Sequence, residues 1–190
     1  YIPINLIRGI SMKKRAVFTL FCILALNVYA NATKDDYETL KKSVVSKYEK
    51  QMPKQWGEKV TDVKTQFNTK EKVIAITMDA CGSQGGMGYD KKLISYLEKE
   101  NIPATLFVNA RWIDTNLETF KTLATNPLFE IGNHGLLHKP ASVDGSSAYG
   151  IKGTENIGEL VDEIELNARK IESITSKRPK YYRSGTAYYD

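Results

Sequence analysis

The stretch that decides the fold runs from Lys72 to Asp79, KVIAITMD, and continues through Ala80 and Cys81 into the glycine-rich segment Gly82 to Gly88. Its β-branched and apolar side chains predict a buried strand over 72–79, which the glycines end in a loop. Downstream, Leu93, Ile94 and Leu97 share one face of a predicted helix over 90–100, which Asn101-Ile102-Pro103 breaks. ATLFV (104–108) predicts a second buried strand, 117–124 a helix ending before Asn126-Pro127, and 128–132 a third short strand. A long loop with Gly135, Pro140, Gly145 and Gly150 then leads to a helix with Thr154 as its N-cap and an apolar stripe of Ile157, Leu160, Val161, Ile164, Ala168 and Ile171. After Pro179, Tyr181-Tyr182-Arg183 begins a fourth strand. Strand and helix in alternation predict an α/β protein, a parallel sheet covered by helices, with its chemistry at the C-terminal ends of the strands.

Upstream of this stretch, Tyr37, Leu40, Val44 and Tyr48 recur at helical spacing over 35–51, and residues 52–70 are polar and irregular. Residues 33–70 are thus expected to be a helix and a connector. The chain has 27 basic and 22 acidic residues in 190, for a net charge of +5. Residues 1–32 hold Arg8, Lys13, Lys14 and Arg15 and no acid, so the remainder has 23 basic against 22 acidic side chains. The basicity therefore belongs to the N-terminus and signals no nucleic-acid partner. Met12-Lys-Lys-Arg15, the apolar run Ala16 to Leu26, and the small residues up to Ala32 match a secretory signal peptide over 12–32. Cleavage after Ala30 or after Ala32 fits equally, and a retained signal anchor is the alternative. Residues 1–11 read as an upstream extension outside the native start. These features predict an exported protein that meets a membrane only during export. Cys81 is then the single cysteine of the mature chain, which excludes a disulfide scaffold.

Three strand ends carry reactive groups: Thr77-Met78-Asp79-Ala80-Cys81, Asn133-His134-Gly135-Leu136-Leu137-His138, and Arg183-Ser184-Gly185. His134 and His138 are the only two histidines, and their spacing in one loop lets two imidazoles converge on one divalent ion. If the strand's alternation persists, Asp79 and Cys81 point to one side and Ala80 to the other. Cys81 is then a metal ligand or a small buried hydrophobe. The segment Gly82 to Gly88 lacks the Gly-Lys-Ser/Thr of a phosphate loop, so it reads as a flexible rim. Tyr188, Tyr189 and Trp112 are candidates for stacking on sugar rings.

Over about 72–190 this set resembles the polysaccharide deacetylases of the NodB-homology, carbohydrate esterase 4 family. Thr77-Met78-Asp79-Ala80 stands where that family has Thr-Phe-Asp-Asp, and His134 with His138 matches its His-Ser/Thr-x-x-His, with Gly135 replacing the hydroxyl residue. Arg183 in RSGT matches the start of its third motif. The resemblance implies an irregular (β/α) barrel, incomplete where this chain stops at Asp190. It also implies a metal-dependent deacetylase of N-acetylated polysaccharide such as peptidoglycan. Zn²⁺ would sit on His134 and His138, Asp79 would be the general base for the attacking water, and Arg183 would pair with Asp79. Ala80 departs from the family's metal-binding aspartate, and Cys81, Asp90 or water is left to supply the third ligand. That departure keeps a second reading open, a carbohydrate-binding protein on a deacetylase scaffold that has lost catalysis. A third, a hydrolase of small cyclic amides, sits poorly with an export signal.

Overall fold

The computed structural model of the chain describes Lys34 and residues 36–190. The expected extension over 1–11 and signal peptide over 12–32 lie outside the described residues. The chain divides into two units, residues 1–43 and residues 44–190, and the sheet and the site belong to the second. Residues 36–48 form helix α1, in which Tyr37 and Val44 are half-buried while Leu40 and Tyr48 are exposed. Among the described residues no helix is long and apolar enough to cross a membrane.

Three parallel strands, β1 (Thr77–Ala80), β2 (Ala104–Val108) and β3 (Phe129–Asn133), lie in the order β1-β2-β3. Their register aligns Ala80 with Val108 and Val108 with Asn133. All three strands therefore end at one level, and the residues that follow emerge along a single edge. Beyond β3 the predicted fourth strand is one parallel bridge, Asn133 to Tyr182. It is held by the Asn133 N–H donating to the Tyr181 carbonyl (2.9 Å) and the Arg183 N–H donating to the Asn133 carbonyl (2.9 Å). That bridge is enough to deliver Arg183 to the same edge.

Helix α2 (Lys91–Lys99) is capped by Asp90, whose Oδ1 accepts the Leu93 N–H at 2.9 Å. Helices α3 (Ala110–Thr115) and α4 (Leu117–Thr125) follow β2, and α5 (Ile157–Thr175) follows a hairpin of β4 (Ser147–Ala148) and β5 (Ile151–Lys152). The core gathers Leu106 and Val108 of β2, Ile94 and Leu97 of α2, Trp112 and Ile113 of α3, Phe120 and Leu123 of α4, Phe129 of β3 and Ile171 of α5. The described residues thus form an α/β fold with a parallel sheet, and a closed barrel is not among them.

Several expectations need correction. The first strand covers only its predicted C-terminal half, and Val73 and Ile74 are exposed, Ile74 at 86 %. Pairing with β2 starts where the Thr105 N–H reaches the Ile76 carbonyl. Pro103 just before β2 has no N–H to extend the ladder. Thr154 does not cap α5. It is buried, accepts the Ser142 N–H at 3.0 Å and donates to the Ser142 carbonyl, while Asn156 caps the helix by accepting the Glu159 N–H at 2.9 Å. Helix α3 was unexpected, and Asn109, whose side chain accepts the Arg111 N–H, is the N-cap that starts it. The hairpin was also unexpected. Tyr149 (φ 52°) and Gly150 (φ 75°) make the two-residue left-handed turn such hairpins use.

Candidate metal and acid-base site

Strand alternation sorts the first motif. Met78 and Ala80 pack against the core, and Thr77 and Asp79 face the opposite way, toward Arg183. One guanidinium nitrogen of Arg183 donates to Asp79 Oδ1 at 2.7 Å and the other to Thr77 Oγ1 at 3.0 Å. Phe107, the register partner of Asp79 on β2, lies under that guanidinium with its ring centre 4.2 Å away. Arg183 is fixed by a carboxylate, a hydroxyl and an aromatic face together, and both charged groups keep about a third of their side-chain surface open.

Cys81 continues the Asp79 side, its Sγ 3.8 Å from His134 Nε2. His134 follows β3 directly and is buried, its N–H donating to the Val108 carbonyl (3.1 Å). Its Nδ1 lies 3.0 Å from the Arg183 carbonyl, which only accepts, so Nδ1 carries the proton and Nε2 presents a lone pair toward Cys81. His138 meets His134 edge-on, ring centres 4.8 Å apart, and its buried Nε2 has no hydrogen-bond partner. Burial pushes the His134 imidazole down from its ordinary value, against the opposing pull of the Asp79 charge. Burial, then His134 and Arg111, bring His138 down to about 4. Burial, then the Asp79 charge, push the Cys81 thiol up.

A web of polar side chains holds the histidine loop. Glu163 of α5 is 2 % exposed and accepts the Leu137 N–H (2.9 Å to Oε2) and the Lys139 N–H (3.1 Å to Oε1), so its carboxylate brackets His138. Burial pushes that carboxyl up and the backbone N–H groups oppose the shift. Gly135 (φ 79°) lies so close that a Cβ there would stand 2.3 Å from Glu163 Oε1, which accounts for glycine where the resembled family has a hydroxyl residue. Asn109 Nδ2 donates to the carbonyls of His134 (3.1 Å) and Gly135 (2.7 Å). Asn167 Nδ2 donates to the Val108 carbonyl (2.9 Å) and to Asn133 Oδ1 (2.7 Å), which also accepts the Gly135 N–H (2.9 Å). Gly185 packs on the far side, where a Cβ would meet the His138 carbonyl at 2.2 Å.

Cys81, His134 and His138 therefore bring one donor atom each within 4.8 Å of one another. The orphaned Nε2 of His138 and the bare Nε2 of His134 fit a divalent metal. Asp90, engaged as the cap of α2, stands outside this cluster. The aromatic candidates separate. Trp112 is 2 % exposed and its indole N–H donates to the Gly88 carbonyl (2.9 Å), so it belongs to the core and does not face a sugar. Tyr189 is tied down, its hydroxyl accepting the Ser184 N–H (3.2 Å) and its backbone paired with Gly57. Tyr188 sits among other rings, with Trp56 at 5.5 Å and Tyr149 at 5.4 Å between centres.

These features define an α/β protein with a candidate metal site beside an arginine-paired carboxylate. The polysaccharide deacetylase family profile matches residues 66–190, and the chain belongs to that family. Among curated proteins it is 25 % identical over 97 residues to YlxY of Bacillus subtilis (strain 168), an uncharacterised protein, covering 51 % of this chain and 27 % of YlxY. The crystal structure of a CE4 family pseudoenzyme from Bacillus anthracis matches 64 % of this chain and 38 % of its own, at 20 % identity and TM-score 0.50, a likeness of fold. Bacillus subtilis PdaA, a family 4 carbohydrate esterase, matches 65 % of this chain and 47 % of its own, at 23 % identity and TM-score 0.48. The chain thus spans less than half the length of each of these relatives.

Proposed function

We propose that this chain belongs to an exported, metal-dependent deacetylase that hydrolyses N-acetyl groups of a polysaccharide such as peptidoglycan or another N-acetylhexosamine glycan. Its parallel sheet would be part of an irregular (β/α) barrel. The observation that carries the reading is the unpartnered, buried Nε2 of His138, on a ring that meets His134 edge-on, with an Asp79 held by Arg183 nearby. His134 and His138 would hold the ion, most simply Zn²⁺, which when bound supplies a Lewis acid and lowers the pKa of water. Asp79 takes the proton of the attacking water as general base. Arg183 keeps the Asp79 carboxylate aimed, and its own carbonyl keeps His134 in the tautomer whose Nε2 is free. The water oxygen ends in acetate, and as the C–N bond breaks the leaving sugar amine takes up the proton that Asp79 removed from the water, directly or through solvent. Tyr188, with Trp56 and Tyr149 around it, offers an aromatic surface for a sugar ring. The cationic and apolar segment over 12–32 supports export.

A specific observation keeps a second reading in play. Ala80 points its methyl group into the core and offers no carboxylate, which suits a glycan-binding protein without turnover. Acetate release from peptidoglycan and from chito-oligosaccharide, with Zn²⁺ and with a chelator, decides between them. Release that the chelator abolishes supports the deacetylase. Glycan binding with no release under any divalent metal supports the second reading.

A further inference from the structure

Resting on the metal-dependent reading above, we infer that Cys81 is the third protein ligand of the ion, making a Cys-His-His centre of soft donors. The first motif reaches the ion through its fifth position because Ala80 is turned to the core and Cys81 is turned to the histidines. Tetrahedral zinc with ordinary Zn–S and Zn–N bonds sets its donor atoms roughly 3.3–3.6 Å apart. Cys81 Sγ and His134 Nε2 stand at 3.8 Å, and the three donor atoms lie within 4.8 Å. The centre thus needs only a small contraction of side chains already facing one another.

Both histidine nitrogens are ready to ligate. His134 Nε2 is left bare by the Nδ1 contact with the Arg183 carbonyl, and His138 Nε2 is buried without a partner. Asp79, which pairs with Arg183, is not among the donor atoms that converge, so the thiol is the donor of the first motif that meets both rings. A thiolate with two imidazoles favours zinc over magnesium, calcium or manganese. A neutral pair, the Cys81 thiol donating to His134 Nε2 with no part in metal binding, is the arrangement this excludes.

The chain contains two cysteines, Cys22 and Cys81, so Cys22→Ser in the full chain leaves Cys81 as the one thiol. Loaded with Co²⁺, that protein is expected to show a near-ultraviolet thiolate-to-cobalt charge-transfer band. Adding Cys81→Ser removes the band and weakens Zn²⁺ binding, read by competition with a chromophoric chelator, by about 100-fold. Cys81→Asp lacks the band but retains Zn²⁺ within about tenfold and narrows the preference for zinc over manganese. Alkylation needs no Cys81 variant: Zn²⁺ should slow iodoacetamide labelling of Cys81 at least about tenfold. Cobalt bound without the band, equal zinc affinity after Cys81→Ser, or unprotected alkylation each overturns Cys81 as ligand and leaves the deacetylase reading standing. Failure of the unaltered chain to bind any divalent metal overturns both.

Discussion

The loop leaving β3 and the segment leaving β1 meet at the same site, but they are built differently. The β3 loop carries His134 and His138 inside a web made by Asn109, Asn133, Glu163 and Asn167, each of which has a side-chain hydrogen bond to loop or strand backbone. The β1 segment carries Asp79 on the strand and Cys81 just beyond it; among the described residues that strand pairs with β2 alone, and Arg183, which orients Asp79, comes from across the sheet edge. The metal-binding half is therefore set by the fold itself, and the base is set by an ion pair open to water. Defects in the first half should read out in metal affinity and stability. In the second, defects at Asp79 and its ion pair should read out in turnover, and Cys81 alone should read out in metal affinity.

That contrast can be broken most forcefully at Glu163. Glu163→Gln keeps the shape but replaces an acceptor oxygen with an NH2 among N–H groups that need acceptors, so the loop bracketing His138 should loosen. We expect zinc affinity to fall about 10–100-fold, by chelator competition, together with a lower Tm. The next effect is on pH. His138 titrates near 4 in the folded chain against an ordinary 6.5, so the unfolded chain takes up a proton first as pH falls. Metal-free protein should therefore lose stability between about pH 6.5 and pH 4, and His134, shifted the same way, adds to the loss. Melting curves across that window check it. His138→Asn, which tolerates the left-handed backbone at that position (φ 63°), should flatten them. The smallest effect is at Trp112. Trp112→Phe removes the bond to the Gly88 carbonyl and should cost about 1 kcal/mol by urea unfolding, with KM for glycan unchanged within about twofold. A several-fold rise in KM would return Trp112 to the sugar-binding surface.

Much of this was legible in the sequence, for local reasons. ATLFV matched β2 residue for residue because it is the central strand, buried by neighbours on both sides. KVIAITMD has the same chemistry, but its first half lacks a partner beside Pro103, and composition does not report a missing partner. Asp79, Cys81, His134, His138 and Arg183 were readable as reactive groups at strand ends; the donor atoms of Cys81, His134 and His138 lie within 4.8 Å of one another, and Arg183 pairs with Asp79. The scaffold beneath them was harder to see. Glu163, Asn167 and Ile171, four residues apart, share a buried line on α5; of its predicted apolar stripe Ala168 and Ile171 are buried, while Ile157, Leu160, Val161 and Ile164 are half-buried. Two polar residues at that spacing are the signal, and a search for apolar periodicity passes over it. Trp112 misled in the opposite way, because a large aromatic suits a sugar face and a core equally well.

Asp79 supplies the chemistry of this site while the histidine loop holds the ion. Zinc affinity and acetate release, measured side by side on the unaltered chain and on Asp79→Asn, test it most directly. Zinc binding should be unchanged within about threefold and release from N-acetylated glycan lowered by about 10²–10⁴-fold. Release undiminished by Asp79→Asn at equal zinc occupancy would contradict it.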